Sequence, residues 1–247
     1  MTDESPGEGE TSLPVNRLLA VASALFALVF TLVVASLVTE LVLSVTVGLG
    51  IVAEETNTYQ LVQTIASFVG FLPGVIGYML ITDQRDLIPL SQPTLRHGGL
   101  VLGVAVGLYG LQIGLLFSLQ ELGLRTAQNP ATMAAGDPVV YYAAMIAVSI
   151  LIVGPAEELL FRGIIQGGLR RSFGPIPAIL LASVLFGVLH AGVQGSPSEQ
   201  VAYMGITVLL GAILGVLYER TENVLVPGLA HGVYNGIIFA GLLWGAL

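Results

Sequence analysis

Apolar residues run through this chain in long blocks separated by short polar breaks. The blocks cover about 17–38, 59–82, 98–119, 139–153, 178–191, 200–218 and 224–244. About 20 apolar residues in a helix cross the hydrocarbon core of a bilayer, so most of these blocks are long enough to span. Backbone polar groups must also be satisfied inside lipid, which favours helices. The pattern therefore predicts an all-α fold, a polytopic transmembrane bundle of about seven helices. Leu41–Ala53 is a further apolar stretch, set off from the first helix by Glu40 and too short to span. It reads as an extension or an interfacial segment. Gly154-Pro155 predicts a break in the fourth block, because proline lacks a backbone donor and restricts the residue before it. A full break would raise the count to eight. Turns are expected at Asn129-Pro130, Asp137-Pro138 and 173–177.

Composition supports the membrane reading. Of 247 residues, 55% are hydrophobic and 10% charged, against about 25% charged in a typical soluble domain. The net charge is −8, and the basic residues are all arginine. Residues 1–13 hold four acids and no base, which reads as a disordered acidic tail. Such a tail argues against nucleic acid as a partner. It also lacks the basic start of a signal peptide, so the first helix is expected to be retained. The remaining residues, 14–247, read as one transmembrane domain. The absence of cysteine excludes disulfides, thiolate metal ligands and a cysteine nucleophile.

Arginine placement predicts orientation, since cytoplasmic loops are enriched in Lys and Arg. With seven crossings, Arg17, Arg85, Arg96, Arg170, Arg171 and Arg220 fall on one face and Arg125 on the other. The first face should be cytoplasmic, with the C-terminus outside.

Ionisable residues inside apolar segments are costly and usually mark function. Three motifs within 155–235 contain them. In Glu157-Glu158-x-x-x-Arg162, Glu158 and Arg162 share a helix face and can pair. Glu157 lies about 100° around the helix and is left free, as a general base would be. The competing reading is an ordinary acidic helix start. Phe186-x-x-x-His190 places a histidine near the end of the fifth helix. His231-x-x-x-Asn235 places two hydrogen-bonding side chains on one face of the seventh. These can hold an oxyanion or merely tie helices together. Convergence of acid, histidines and amide predicts a site that activates water, through a carboxylate base or a metal.

In this order on successive membrane helices, the three motifs resemble the CPBP family. It groups CAAX prenyl endopeptidases with bacteriocin-processing and self-immunity proteins. The resemblance implies an intramembrane endopeptidase of the cell membrane whose cavity faces the cytoplasm. By that analogy Glu157 activates water with His190 assisting. Glu158 and Arg162 order the site, and His231 and Asn235 stabilise the oxyanion. The implied partners are the lipid bilayer and a peptide or protein substrate, prenylated tails included. No cofactor is expected on the glutamate mechanism. A metalloprotease mechanism would use zinc, with Glu157, His190 and His231 as ligands. The competing functions are a nonenzymatic immunity or scaffold protein that keeps the motifs, and a proton-coupled transporter.

Overall fold

The computed structural model describes residues 12–84, 87–88, 94–192 and 194–247. Most of the expected acidic tail lies outside them, and helix α1 already begins at Ser12. Among the described residues six helical stretches are long and apolar enough to cross a membrane. A seventh, Pro175–Leu189, is shorter. No strand occurs among them, and a single isolated β-bridge joins Gln128 to Gln194. The protein is an all-α, multi-pass membrane bundle.

The first span, α1, runs unbroken over Ser12–Gly48. Glu40 does not interrupt it, because this side chain is on the exposed surface. The stretch from Leu41 is thus an extension of α1, ended by a turn with Gly50 at φ +68°. The second span is divided into α2 (Asn57–Val69) and α3 (Phe71–Thr82). Its joint, Gly70, lies against α1, where a Cβ would stand 2.8 Å from the Ala35 Cα. Helix α4 follows over Leu95–Glu121, capped by the Thr94 hydroxyl.

The fourth span shows no break. It is helical from Pro138 to Phe173, 36 residues in all. It is assembled from α5 (Pro138–Val148), α6 (Gly154–Glu158) and α7 (Gly167–Phe173), joined by π-helical stretches at Ser149–Val153 and Leu159–Gln166. The Gly154 N–H bonds back to the Ser149 carbonyl, five residues earlier. This wider turn accommodates the ring and missing donor of Pro155, which would disrupt a tight α-turn. Among the described residues Pro155 therefore does not split this span in two, and they hold six long apolar spans and one shorter helix.

Helix α8 (Pro175–Leu189) starts directly after Gly174, whose φ of +78° makes the corner. Its prolines lie in the first turn, where their missing donors cost nothing. Residues 175–177, expected as turn, are thus helix. At 15 residues it rises only about 23 Å, short of the roughly 30 Å core. It ends in a 3₁₀ turn, His190–Gly192. Helix α9 (Pro197–Thr221) is opened by a Ser196/Glu199 capping box. Helix α10 (Leu225–Ala246) closes the chain and packs on α4, α5 and α6.

Glycines bring α10 onto the fourth span. A Cβ on Gly232 would lie 2.6 Å from the Ser149 carbonyl oxygen and 2.7 Å from the Ile150 Cα. A Cβ on Gly228 would be 3.0 Å from the Pro155 Cα. Only glycine allows this approach, and it sets His231 beside the Glu157-Glu158 pair.

Candidate active site

All of the charged motif residues from the fourth span are buried. Glu158 and Arg162 are 0% exposed and Glu157 5%. The Glu158 carboxylate accepts from Arg162 Nε at 2.6 Å through Oε2 and from His231 Nδ1 at 3.1 Å through Oε1. Glu157 projects elsewhere, as the 100° offset requires. Its Oε2 is 3.6 Å from His231 Nε2, and its Oε1 is 3.9 Å from His190 Nε2.

The hydrogens on the two imidazoles follow from their other partners. His190 Nδ1 is 2.8 Å from the Phe186 carbonyl, which can only accept. His231 Nδ1 meets the arginine-paired carboxylate of Glu158, also an acceptor. Each Nδ1 therefore carries the hydrogen, and in a neutral ring each Nε2 keeps its lone pair. Both lone pairs face Glu157. In that state three acceptors converge, an arrangement that suits a water from which protons are drawn. Backbone carbonyl and carboxylate partners at Nδ1 are also the usual supports of metal-binding histidines. Glu157, His190 and His231 are residue types that zinc takes, but among the described residues no group of three such side chains is arranged to hold a metal ion.

Phe186 organises the site beyond its place in a motif. Its ring lies 4.5 Å from that of His190 and 5.7 Å from that of His231, centroid to centroid. The Arg162 guanidinium carbon stands 5.6 Å from the same ring, a favourable placement for a cation. Behind Arg162, Gln166 donates to the Gly215 carbonyl at 3.1 Å and to Glu219 at 2.9 Å. Glu219 in turn pairs with Arg170 at 3.2 Å.

Glu157, His190, His231 and Asn235 line one cavity of about 800 Å³, a size typical of small-molecule and peptide-segment sites. Asn235 makes no side-chain hydrogen bond with the described residues, so its amide is available to the cavity. Motif reading missed two further polar groups. Tyr203 of α9 lines the cavity, its ring 6.4 Å from that of His190. Asn129, read from sequence only as a turn, accepts from the Ala131 N–H at 3.0 Å, which fixes the amide. Its Nδ2 then approaches the Tyr203 hydroxyl at 3.5 Å. A tyrosine early in an apolar helix was the available signal.

The cavity reaches from Glu157 to Thr126, Asn129 and Met133, in the α4–α5 connection. That is the end carrying Arg125, opposite the arginine-rich end. A cytoplasmic arginine face and a cavity facing the cytoplasm were both expected, and this geometry sets the two apart.

Comparison with known proteins bears on the same stretch. Residues 139–237 match the family model described as type II CAAX prenyl endopeptidase Rce1-like. Over 188 residues the chain is 29% identical to a Bacillus subtilis (strain 168) protein named "Putative membrane peptidase YdiL", covering 71% of this chain and 70% of the relative. No solved structure matches. The family match spans all three motifs, and the resemblance to the CPBP family that they carry is borne out.

Proposed function

We propose that this protein is an intramembrane endopeptidase in which Glu157 activates the attacking water. At family level the matches support a membrane protease. The observation that carries the finer reading is the convergence of Glu157 with two imidazole Nε2 atoms in a largely buried cavity. A carboxylate removed from bulk water and facing two acceptors is a suitable base for water. Glu157 takes one water proton as the oxygen adds to the scissile carbonyl carbon. His190 Nε2 accepts a hydrogen bond from the same water and orients it. The tetrahedral oxyanion needs donors. Asn235 supplies one in the neutral state. His231 joins it only when doubly protonated, because its Nδ1 hydrogen is held by Glu158. Collapse breaks the C–N bond, and the proton held by Glu157 passes to the leaving amine. Glu158 and Arg162 do not touch substrate and hold His231 in place.

The test is cleavage of a broad fluorogenic peptide panel, farnesylated CAAX peptides included, by purified wild type beside Glu157→Gln. Cleavage by wild type that the variant loses supports the reading. Equal cleavage by both overturns it.

A further inference from the structure

With both imidazoles neutral, the motif residues offer the cavity many acceptors and few donors. Glu157 and the two Nε2 atoms all accept. Among the motif residues lining the cavity, Asn235 alone then has hydrogens for a tetrahedral oxyanion. One amide is a sparse partner, because oxyanion stabilisation rests on donors aimed beforehand at the developing charge. Thr64, Thr132 and Thr207 also line the cavity, but each gives its hydroxyl hydrogen to a backbone carbonyl. Tyr203 does not.

Tyr203 lies near the start of α9 and lines the cavity. Its ring is 6.4 Å from that of His190, whose Nε2 is 3.9 Å from Glu157. The phenol is therefore close to the groups that face the water. Among the described residues its hydroxyl has one hydrogen-bonding neighbour, the Asn129 amide at 3.5 Å. Asn129 Oδ1 is engaged by the Ala131 N–H at 3.0 Å, so Nδ2 is the atom turned to Tyr203. An amide nitrogen only donates. The phenol oxygen is thus the acceptor, and its own hydrogen is directed away from Asn129. The backbone fixes Asn129 in turn. Its carbonyl accepts from the Thr132 N–H at 2.9 Å and the Thr132 hydroxyl at 2.7 Å. The adjoining Gln128 backbone pairs with Gln194 at 2.9 and 3.2 Å.

We propose that Tyr203 is a second oxyanion donor, held in that role by Asn129 as a positioning residue. The phenol hydrogen bonds the scissile carbonyl oxygen as it gains negative charge, and no proton is transferred. A phenol is ordinarily protonated at neutral pH, so this donor, unlike His231, needs no added proton. The inference rests on the endopeptidase reading.

The test uses purified full-length protein, a peptide of the panel that wild type cleaves, and a peptidyl phosphinate of the same sequence. Tyr203→Phe removes the hydroxyl and keeps the ring. Its kcat should fall about 10²–10³-fold, the range for one lost oxyanion donor, with KM near wild type. Inhibition by the phosphinate, a mimic of the tetrahedral state, should weaken in step. The ratio of phosphinate Ki to KM is read on folded protein, so partial unfolding does not imitate this result. Asn129→Asp puts an acceptor where the donor was and draws the phenol hydrogen out of the cavity. It should lower kcat in the wild-type background and have little further effect beside Tyr203→Phe. An equally large effect without the hydroxyl would remove the positioning role of Asn129. Unchanged kcat in Tyr203→Phe, or a loss confined to KM, overturns the proposal, and Glu157-dependent cleavage by wild type then leaves the endopeptidase reading standing. A wild type that cleaves no peptide of the panel sinks that reading and this inference with it.

Discussion

Glu157 and Glu158 are adjacent in the chain yet occupy opposite roles, because one helical step turns them to different partners. Glu158 is committed to Arg162 and His231. Glu157 faces the cavity and two imidazole lone pairs. Glu157→Gln should lower the cleavage rate by about 10²–10⁴-fold, the range of a lost general base. Unfolding in detergent should be little changed, since no ion pair with arginine is broken. Arg162→Ala should behave differently. It leaves Glu158 buried without its cation, which costs about 3–5 kcal/mol. Thermal unfolding should fall markedly, and activity with it. A larger loss of activity with intact stability in Glu158→Gln than in Glu157→Gln would reverse the assignment of the base. Metal chemistry is decided separately. Cleavage should persist after exhaustive chelation, and stoichiometric zinc whose removal abolishes cleavage would replace the glutamate mechanism by a metal-assisted one.

Secondary-structure elements bring these residues together through close backbone approach rather than through long side chains. Gly232 is one such case, with space for no Cβ between α10 and the Ser149–Val153 turn. Gly232→Ala should push the helices apart, costing about 1–3 kcal/mol as overpacking does. It should also displace His231 and Asn235, so activity and unfolding temperature fall together. Gly241→Ala, on the same helix, meets nothing within 4 Å and should change neither. Much of this level was legible in the sequence. Apolar blocks located the spans, and the i, i+4 spacing paired Glu158 with Arg162. Pro155 was misleading because its usual effect assumes an α-helical turn. Here a π-turn absorbs it, and such a turn depends on packing against α10 that no local pattern reveals. The roles of Phe186, Tyr203 and Asn129 were equally hidden, since each arises from contacts between distant segments.

At the scale of the whole molecule, the half of the chain without recognisable motifs completes the cavity. Leu32 of α1, with Phe68 and Phe71 at the α2–α3 joint, lines the same cavity as the motif residues. Sequence offered no reason to assign this half a task, because apolar wall residues look the same as lipid-facing ones. The close fit that places them is structural. Gly74 sits against Thr31, where a Cβ would be 2.8 Å from the Thr31 Cα, and this seats α1 tightly on α3. If the catalytic groups come from one half and the wall from the other, rate and selectivity should separate by mutation. Leu32→Trp adds bulk to the wall while leaving Glu157, His190, His231 and Asn235 in the sequence. Cleavage of substrates with large side chains or lipid groups near the scissile bond should fall through KM. Turnover of small substrates should stay near wild type. Filling part of a pocket removes binding shared by ground and transition states, and such a loss appears in KM with kcat preserved. A comparable fall in kcat for every substrate would mean that α1 supports the catalytic groups themselves, and that the two halves are not separable in function.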